Sequence, residues 1–399
     1  MDGPLIRDGA ILFQGGTILD VGIAHTLSQQ NPDAEITDRP GDIILPGLIN
    51  AHTHLELSEF TCGSPPSGFV DWIKRLVPRG QVNLQSIQES VSRSVPIGVS
   101  RCLRFGVTAV GDISRQCMIS RPLLQTGPLH VVSYGEVQAM AQRRGVLEER
   151  LAVATDSTFA SQFLRIAVSP HAPYSVELDA YRRCVELAQS QSLPIATHLA
   201  ETLDEAPFLA NHSGPFRDLW DTLGAWDERV PTFDGGPIRF AREVGLLDYG
   251  RTLLAHVNYC DDDEMRLLAE ARGRPSVVYC PRTHRYFGHS PHRFREMLER
   301  GINVAIGTDS CASSPDLNLV DEIRLVRKIA TDIPAIELWK MITSHGARAI
   351  DMQDQLGLLR AGMAADFVAF KASSENPLES ILDQYILPEK VWIGGEPIA

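Results

Sequence analysis

The chain has 399 residues, of which 44% are apolar and 22% are charged, and its formal net charge is −13. This acidic balance argues against nucleic acid or an anionic membrane as a partner, because both require a basic face, and it leaves a small molecule as the expected partner. The first residues lack the basic and apolar regions of a signal peptide, and no apolar run reaches the ~18 residues that span a bilayer, so we expect a cytoplasmic protein. The seven cysteines are scattered without paired spacing, which predicts free thiols.

Short apolar runs recur along the chain, each with a polar residue near its end and a helix-length segment after it. They cover residues 43–54, 107–114, 129–137, 164–173, 194–201, 252–259, 275–281 and 302–310. Continuous apolar strands separated by crossover helices predict a parallel sheet that is buried on both faces. Eight such units predict a closed (β/α)8 TIM barrel of the α/β class. An open doubly wound sheet is the alternative, but no glycine-rich phosphate loop follows the first run.

The two ends of the chain differ from the middle. They contain short strand-like stretches with glycine turns, such as "GAILFQGG" and "VWIGGE". We therefore predict a small β-sandwich domain built from residues 1–45 together with 355–399, and a barrel formed by 46–354. The segment 202–245, between the fifth and sixth runs, is longer than an ordinary connection and is a candidate lid over the site.

Polar side chains gather where the apolar runs end, which in a barrel is the catalytic end. They are His52, His54, Asp112, Glu136, His171, His198, Glu201, His256 and Asp309. A single histidine at a strand end is more often an ordinary polar residue than a ligand. The pair His52 and His54 differs, because side chains at positions i and i+2 share one face of a strand.

Convergence of this pair with His198 and Asp309 predicts a metal site. Three imidazoles and a carboxylate suit Zn²⁺ or Fe²⁺, and an open coordination position holds a water whose pKa the metal lowers. One divalent metal ion is therefore expected, with Zn²⁺ favoured and Fe²⁺ or Mn²⁺ as alternatives.

The segments "PGLINAHTH", "THLAE", "LLAHV" and "IGTDS", in this order, resemble the amidohydrolase superfamily of metal-dependent hydrolases. Binuclear members of that superfamily bridge two metals with a carboxylated lysine, or in some cases a glutamate, on the fourth strand. The fourth run, "LRIAVSPHAP", contains neither residue, and none of the five lysines lies on a predicted barrel strand. The resemblance therefore implies the mononuclear deaminase branch.

That branch implies roles for three residues. Glu201, three positions after a ligand histidine, matches the glutamate that shuttles protons, and His256 matches the histidine that orients the nucleophile and stabilises the oxyanion. Asp309 accepts the remaining proton of the metal-bound hydroxide, which attacks the amine-bearing ring carbon so that ammonia leaves.

Further segments bear on the substrate. "SPHAPYS" and "THLAE" resemble the group of S-adenosylhomocysteine deaminases, chlorohydrolases and aminodeoxyfutalosine deaminases. "HTHLELSEF", "GFVDWIKRL", "SGPFRDLW" and "YCPRTHRYFGH" look most like the aminodeoxyfutalosine deaminases of menaquinone biosynthesis. The resemblance thus implies a hydrolase of the cyclic-amidine aminohydrolase class whose substrate is 6-aminodeoxyfutalosine.

Four residues are candidate substrate contacts. Glu56 is expected to accept hydrogen bonds from sugar hydroxyls, Trp72 to stack on the base or aryl group, and His171 to bind base or sugar. A benzoate tail calls for an arginine, whose fork binds a carboxylate through two hydrogen bonds. Arg282 is the first candidate; the others are Arg75, Arg79 and Arg285.

Several alternatives stay open at this point. The same metal site suits a deaminase of S-adenosylhomocysteine, adenosine, guanine or cytosine, and it also suits a chlorohydrolase or a ring amidohydrolase. A binding protein descended from such enzymes is the non-enzymatic alternative, although such a protein is expected to have lost ligands. The oligomeric state is open as well, with a homodimer as one option.

Overall fold

The computed structural model describes residues 3–76, 84–372 and 375–398. The strands in these ranges are β1 (Gly9–Gln14), β2 (Thr17–Ile23), β3 (Asp42–Pro46), β4 (Leu48–Thr53), β5 (Val107–Ser114), β6 (His130–Val137), β7 (Leu164–Pro170), β8 (Ile195–Leu199), β9 (Thr252–His256), β10 (Ser276–Tyr279), β11 (Asn303–Ile306), β12 (Phe367–Lys371), β13 (Pro388–Ile393) and β14 (Glu396–Ile398).

The α-helices in the same ranges are α1 (Ala24–Gln30), α2 (Phe69–Leu76), α3 (Leu84–Arg104), α4 (Cys117–Leu124), α5 (Leu147–Ala154), α6 (Leu178–Gln191), α7 (Glu205–Asn211), α8 (Pro215–Thr222), α9 (Gly236–Glu243), α10 (Asp262–Ala269), α11 (Pro281–Phe287), α12 (Phe294–Glu299), α13 (Leu319–Ile329), α14 (Ala335–Met341), α15 (Ser344–Ala349) and α16 (Pro377–Asp383). Short 3₁₀ turns cover Leu55–Leu57, Ala141–Val146 and Leu246–Asp248. No helix in the part of the chain that the structure describes is long and apolar enough to cross a membrane.

Strands β4 to β11 form one eight-stranded sheet in sequence order, and each pairs in parallel with the next. The two edge strands approach each other through a parallel bridge between Thr53 and Asp309, and the amide of Asp309 donates to the carbonyl of His52 at 3.1 Å. The sheet therefore curls into the predicted (β/α)8 barrel. Parallel strands that follow one another all present their carboxyl ends at the same end of the barrel.

The first apolar run differs from its prediction. Residues 43–54 do not form one strand: β3 joins an antiparallel sheet outside the barrel, and β4 begins the barrel itself. The change of sheet falls at Gly47, where a Cβ atom would lie 2.1 Å from the Thr108 hydroxyl oxygen. Only glycine permits this close approach, so the chain passes from one sheet to the other at this residue.

The predicted β domain from both termini is confirmed. Strands β14, β13, β12 and β3 form an antiparallel sheet, and β1 pairs with β2 in a hairpin. The rings of Phe13 and Phe367 lie 5.6 Å apart, and Ile18, Met363 and Ala365 complete a small apolar core with Phe367.

The long segment after β8 contains three short helices, α7, α8 and α9. Phe208, Phe216 and Trp220, from the first two, pack into an aromatic cluster with Phe69 at the start of α2 and Tyr174 in the loop after β7. The segment is therefore an ordered part of the barrel mouth, and its opening as a lid stays a prediction.

Candidate active site

Four histidines and an aspartate converge at the carboxyl end of the barrel. The Nε2 atoms of His54 and His198 are 3.3 Å apart, and those of His52 and His54 lie 3.7 and 3.4 Å from Oδ1 of Asp309. His256 joins His52 and Asp309 in a second group whose ligand atoms all lie within 4.8 Å of one another. Donor atoms bound at ~2.0–2.2 Å to one tetrahedral ion are separated by roughly 3.3 Å, so these spacings suit a single metal.

The donors also have the right chemistry for a cation. Nε2 of His52, which lies 3.7 Å from Oδ1 of Asp309, is buried and has no hydrogen-bond partner among the described residues. A buried polar atom without a partner costs about 1–3 kcal/mol, which coordination of a metal would offset. Burial lowers the pKa of His54 to about 4 and that of His198 well below its usual value, so both imidazoles are in the neutral form that binds metals.

Neighbouring groups orient these side chains. Nδ1 of His198 donates to the carbonyl of His171 at 3.0 Å, which leaves the lone pair of Nε2 facing His54. Oδ2 of Asp309 accepts a hydrogen bond from the Ser313 hydroxyl at 2.8 Å, while Oδ1 faces the histidines. Sequence reasoning did not identify Ser313; its position four residues after Asp309 is the only signal.

The backbone of the site is strained at four non-glycine residues. Ala200, His256, Val257 and Asp309 have φ angles of 49°, 72°, 48° and 55°. Each left-handed residue of this kind costs about 1–3 kcal/mol and persists only where the surrounding structure requires it. The strain coincides with the ends of β8 and β9 and the loop after β11, where the predicted functional side chains lie.

Glu201 lies beside this group and is 4% exposed. Its Oε1 is 3.4 Å from Nε2 of His256. Burial, followed by the charges of Asp309 and Glu205, raises the pKa of Glu201 well above its usual value. A raised pKa favours the protonated carboxyl, which suits a group that passes a proton on.

The predicted substrate contacts Glu56, Trp72 and His171 lie around the mouth. His171 is nearest the histidine group: its ring centroid is 5.0 Å from that of His198, and its Nδ1 is 2.6 Å from the Ser175 hydroxyl. The carboxylate of Glu56 accepts hydrogen bonds from the Ser114 hydroxyl and the amide of Gln116, at 2.7 and 2.8 Å.

Trp72 belongs to the aromatic cluster. Its ring lies 5.6 Å from that of Phe69 and 5.3 Å from that of Phe287, and its indole N–H donates to the carbonyl of Ala312 at 3.1 Å. Another ring of the cluster, Tyr174, lies 5.5 Å from His171. The cluster therefore extends from the mouth towards the histidines.

Arg282 does not have the free guanidinium expected of it. The side chain is 7% exposed and donates to Oε1 of Glu322 at 2.5 Å, to Oδ1 of Asp316 at 2.8 Å and to the carbonyls of Asp316 and Asn318. These contacts join α11 to α13 and to the loop that precedes α13. Because the guanidinium is already bonded to these groups, the prediction that Arg282 binds a substrate carboxylate is corrected. Arg75 and Arg285 are exposed, and Arg79 lies outside the described residues.

Sequence reasoning missed Arg115, the residue directly after β5. Its side chain is exposed and makes no ion pair within the described ranges. Arg115 follows β5 directly, so its backbone lies at the carboxyl end of the barrel. Burial lowers the pKa of His171, while the charge of Glu136 raises it and that of Arg115 lowers it. Glu205 and Asn258 were missed as well, because hydrogen bonds to backbone atoms leave no pattern in the sequence.

The absence of a bridging lysine is confirmed within the described residues. Lys74, Lys328 and Lys340 lie on helices α2, α13 and α14, and Lys371 and Lys390 lie on β12 and β13 of the terminal domain. No barrel strand carries a lysine, and the mononuclear centre that the sequence resemblance implies stays a prediction.

A parallel barrel with histidines and an aspartate at its strand ends defines a metal-dependent hydrolase. Residues 43–398 match the amidohydrolase family, and the chain belongs to that family. It is a hydrolase acting on C–N bonds in cyclic amidines, and members of the family use a divalent metal.

Three known proteins illustrate the similarity. The 5-methylthioadenosine/S-adenosylhomocysteine deaminase of Halothermothrix orenii is 26% identical over 91% of this chain and 80% of that protein. The aminodeoxyfutalosine deaminase of Deinococcus radiodurans is 29% identical over 86% of this chain and 81% of that protein. The crystal structure of Helicobacter pylori aminofutalosine deaminase with methylthio-coformycin superimposes with a TM-score of 0.85 at 23% identity, covering 98% of this chain and 95% of that chain, and supports the fold.

Proposed function

We propose that the chain is a mononuclear deaminase of adenosine-like nucleosides whose substrate is 6-aminodeoxyfutalosine, an intermediate of menaquinone biosynthesis. The observation that carries the proposal is the buried carboxyl of Glu201, 3.4 Å from Nε2 of His256 and beside the other histidines. The names of the relatives support the nucleoside class, and the Deinococcus protein supports this substrate.

His52, His54, His198 and Asp309 would hold the metal, for which Zn²⁺ fits best because imidazole and carboxylate groups are its usual donors. Fe²⁺ and Mn²⁺ accept the same donors. When bound, the metal supplies a Lewis acid that lowers the pKa of water at the site.

Each of three side chains then has its own role in moving or stabilising charge during hydrolysis. Glu201 carries a proton from the attacking water to a ring nitrogen of the base, which makes the amine-bearing carbon electrophilic. Nε2 of His256 donates a hydrogen bond to the oxygen on which negative charge develops. Asp309 accepts the second proton of the water and passes it to the exocyclic nitrogen, which then leaves as ammonia while the carbon–oxygen double bond forms.

The mouth of the site suits a substrate with aromatic and anionic parts. The aromatic cluster offers an apolar wall next to His171 on which a base or an aryl ring can pack. Arg115, directly after β5 at the carboxyl end of the barrel, has an exposed guanidinium with no ion pair among the described residues, and it takes the role first predicted for Arg282.

The experiment is a panel of nucleosides and bases with the metal-loaded protein, measured by ammonia release. We expect the highest kcat/KM with 6-aminodeoxyfutalosine among S-adenosylhomocysteine, 5-methylthioadenosine, adenosine, guanine and cytosine. Preference for another member of the panel would replace the substrate and leave the deaminase assignment intact. Chloride release or ring opening without ammonia would instead indicate the chlorohydrolase or ring amidohydrolase alternative.

A further inference from the structure

Glu205 is a fully buried carboxylate directly behind the proposed proton carrier. It is the first residue of α7, and its side chain is 0% exposed. Its Oε2 accepts the amide N–H of Ala200 at 3.0 Å, and its Oε1 accepts the amides of Glu201 and Thr202 at 2.6 and 3.3 Å. The carboxylate thus takes three consecutive backbone donors.

These donors belong to the turn that connects β8 to α7. The turn requires Ala200 to adopt a left-handed conformation, with φ at 49°, which residues with a Cβ atom rarely adopt. Successive amides that point to one side form a concave site for an acceptor group, and here the acceptor is the carboxyl group of Glu205. No salt bridge to Glu205 occurs within the described residues, so these amides are its hydrogen-bond partners.

The peptide carbonyl of Glu201 is held from the other side. The side-chain amide of Asn258, which follows β9 and is 6% exposed, donates to this carbonyl at 2.9 Å. The N–H and the C=O of Glu201 are therefore both fixed by buried side chains, while its carboxyl faces Nε2 of His256.

We propose that Glu205 is a positioning residue that, together with Asn258, clamps the backbone of Glu201 and so aims its carboxyl at the reacting atoms. The inference rests on the proposed function of Glu201 as the proton carrier. Hydrogen bonds to the backbone fix where the Cα–Cβ bond of Glu201 points, and a displacement of about 1 Å at a catalytic group can cost roughly 100-fold in rate.

The test is Glu205→Gln. Glutamine keeps the size of the side chain, but its NH₂ group faces backbone donors instead of accepting from them. We expect kcat to fall roughly 10- to 100-fold while KM and metal content stay within twofold, because the residues proposed to bind metal and substrate are unchanged.

Glu264→Gln is the matched control. Glu264 is also buried, at 8% exposure, and its carboxylate accepts the amide of Asp261 at 2.9 Å in the next loop. We expect a similar loss of thermal stability in both variants, and a loss of kcat in Glu205→Gln alone. An equal fall of kcat in the two variants would overturn the inference, because it would indicate general loosening of the fold.

A double-mutant cycle with Glu201→Gln distinguishes positioning from support of the fold. If Glu205 acts through Glu201, the double variant is no slower than Glu201→Gln alone, whereas additive losses would overturn the inference. Near-normal turnover in Glu201→Gln would contradict the proposed function itself. If Glu201→Gln lost activity but Glu205→Gln turned over normally, the positioning role of Glu205 would be overturned and the proposed function would stand.

Should Glu205→Gln fail to fold, Glu205→Asp takes its place, because it keeps the charge and withdraws the carboxylate by one methylene. The same fall in kcat with unchanged KM is expected. A kcat within twofold of the wild type would overturn the inference.

Discussion

Nε2 of His256 and Oε1 of Glu201 lie 3.4 Å apart in a pocket where both side chains are almost wholly buried. They come from the ends of adjacent strands, β9 and β8, and His256 reaches this position through a left-handed backbone at φ 72°. The pair places a hydrogen-bond donor next to the proposed proton carrier, beside the candidate metal ligands.

Glu201→Gln is expected to lower kcat by roughly 10²- to 10⁴-fold, the range that general acid–base catalysis contributes. The amide keeps the shape of the side chain but cannot carry a proton between water and base. The measurement is steady-state ammonia release, with metal content and melting temperature as controls. A variant with near-normal kcat would show that another group carries the proton.

His198→Ala is expected to abolish tight metal binding and, with it, activity. The variant removes a donor 3.3 Å from Nε2 of His54, and three donors cannot be rearranged across a rigid barrel. Metal analysis of the purified variant measures this. His130→Ala is the control, because that histidine lies at the opposite end of the barrel and contacts Asp366 at 3.0 Å, so it should keep full metal content.

Chelation of the metal is expected to lower the melting temperature as well as activity. A ligand that binds only the folded state stabilises it in proportion to the logarithm of its concentration over Kd. Thermal unfolding with and without added Zn²⁺ measures the effect, and restored Zn²⁺ should recover both the melting temperature and turnover. An unchanged melting temperature would indicate that the histidines do not hold a metal.

Arg115→Gln is expected to lower kcat/KM for 6-aminodeoxyfutalosine roughly 10- to 100-fold, since a hydrogen bond to a charged group contributes about 1.5–3 kcal/mol. Adenosine has no carboxylate, so its kcat/KM should stay unchanged in the same variant. Arg272→Gln, at a position 87% exposed and paired with Asp248, is the matched control. An equal loss with both nucleosides would rule out recognition of the carboxylate.

Glu56 predicts a pH dependence of stability. Burial, and next the charge of Asp112, raises the pKa of Glu56 from 4.5 to about 8. Between pH 4.5 and about 8, the folded state therefore binds more protons than the unfolded state. The stability that the protonated Glu56 contributes is fully present below pH 4.5, and it is lost as the pH rises through about 8. We expect the melting temperature of Glu56→Gln to fall less between pH 5 and pH 8 than that of the wild type.

The control for this prediction is Glu59→Gln, three residues further along, where the carboxylate is paired with Arg93 at 2.9 Å. Its melting temperature should follow the wild type across the same pH range. Parallel curves for Glu56→Gln and the wild type would show that Glu56 is ionised in the folded protein.

The barrel was predictable because its signal is local and repeated. Buried parallel strands are continuously apolar, and each crossover helix separates one run from the next. The division of residues 43–54 was not predictable in the same way. Leu45 and Ile49 are equally buried on the two sides of Gly47, so apolar character alone cannot show that the chain changes sheets there.

The fold class, the candidate donor histidines and the lack of a bridging lysine on the barrel strands follow from the sequence alone, because strand periodicity and residue type decide which groups reach the barrel end. The partners of each charged side chain depend on how the chain folds. Arg282 pairs with Glu322 and Asp316, and Glu205 accepts the amide of Glu201. Such pairings join residues far apart in the chain or use backbone atoms common to every residue, so their geometry appears only when the chain has folded.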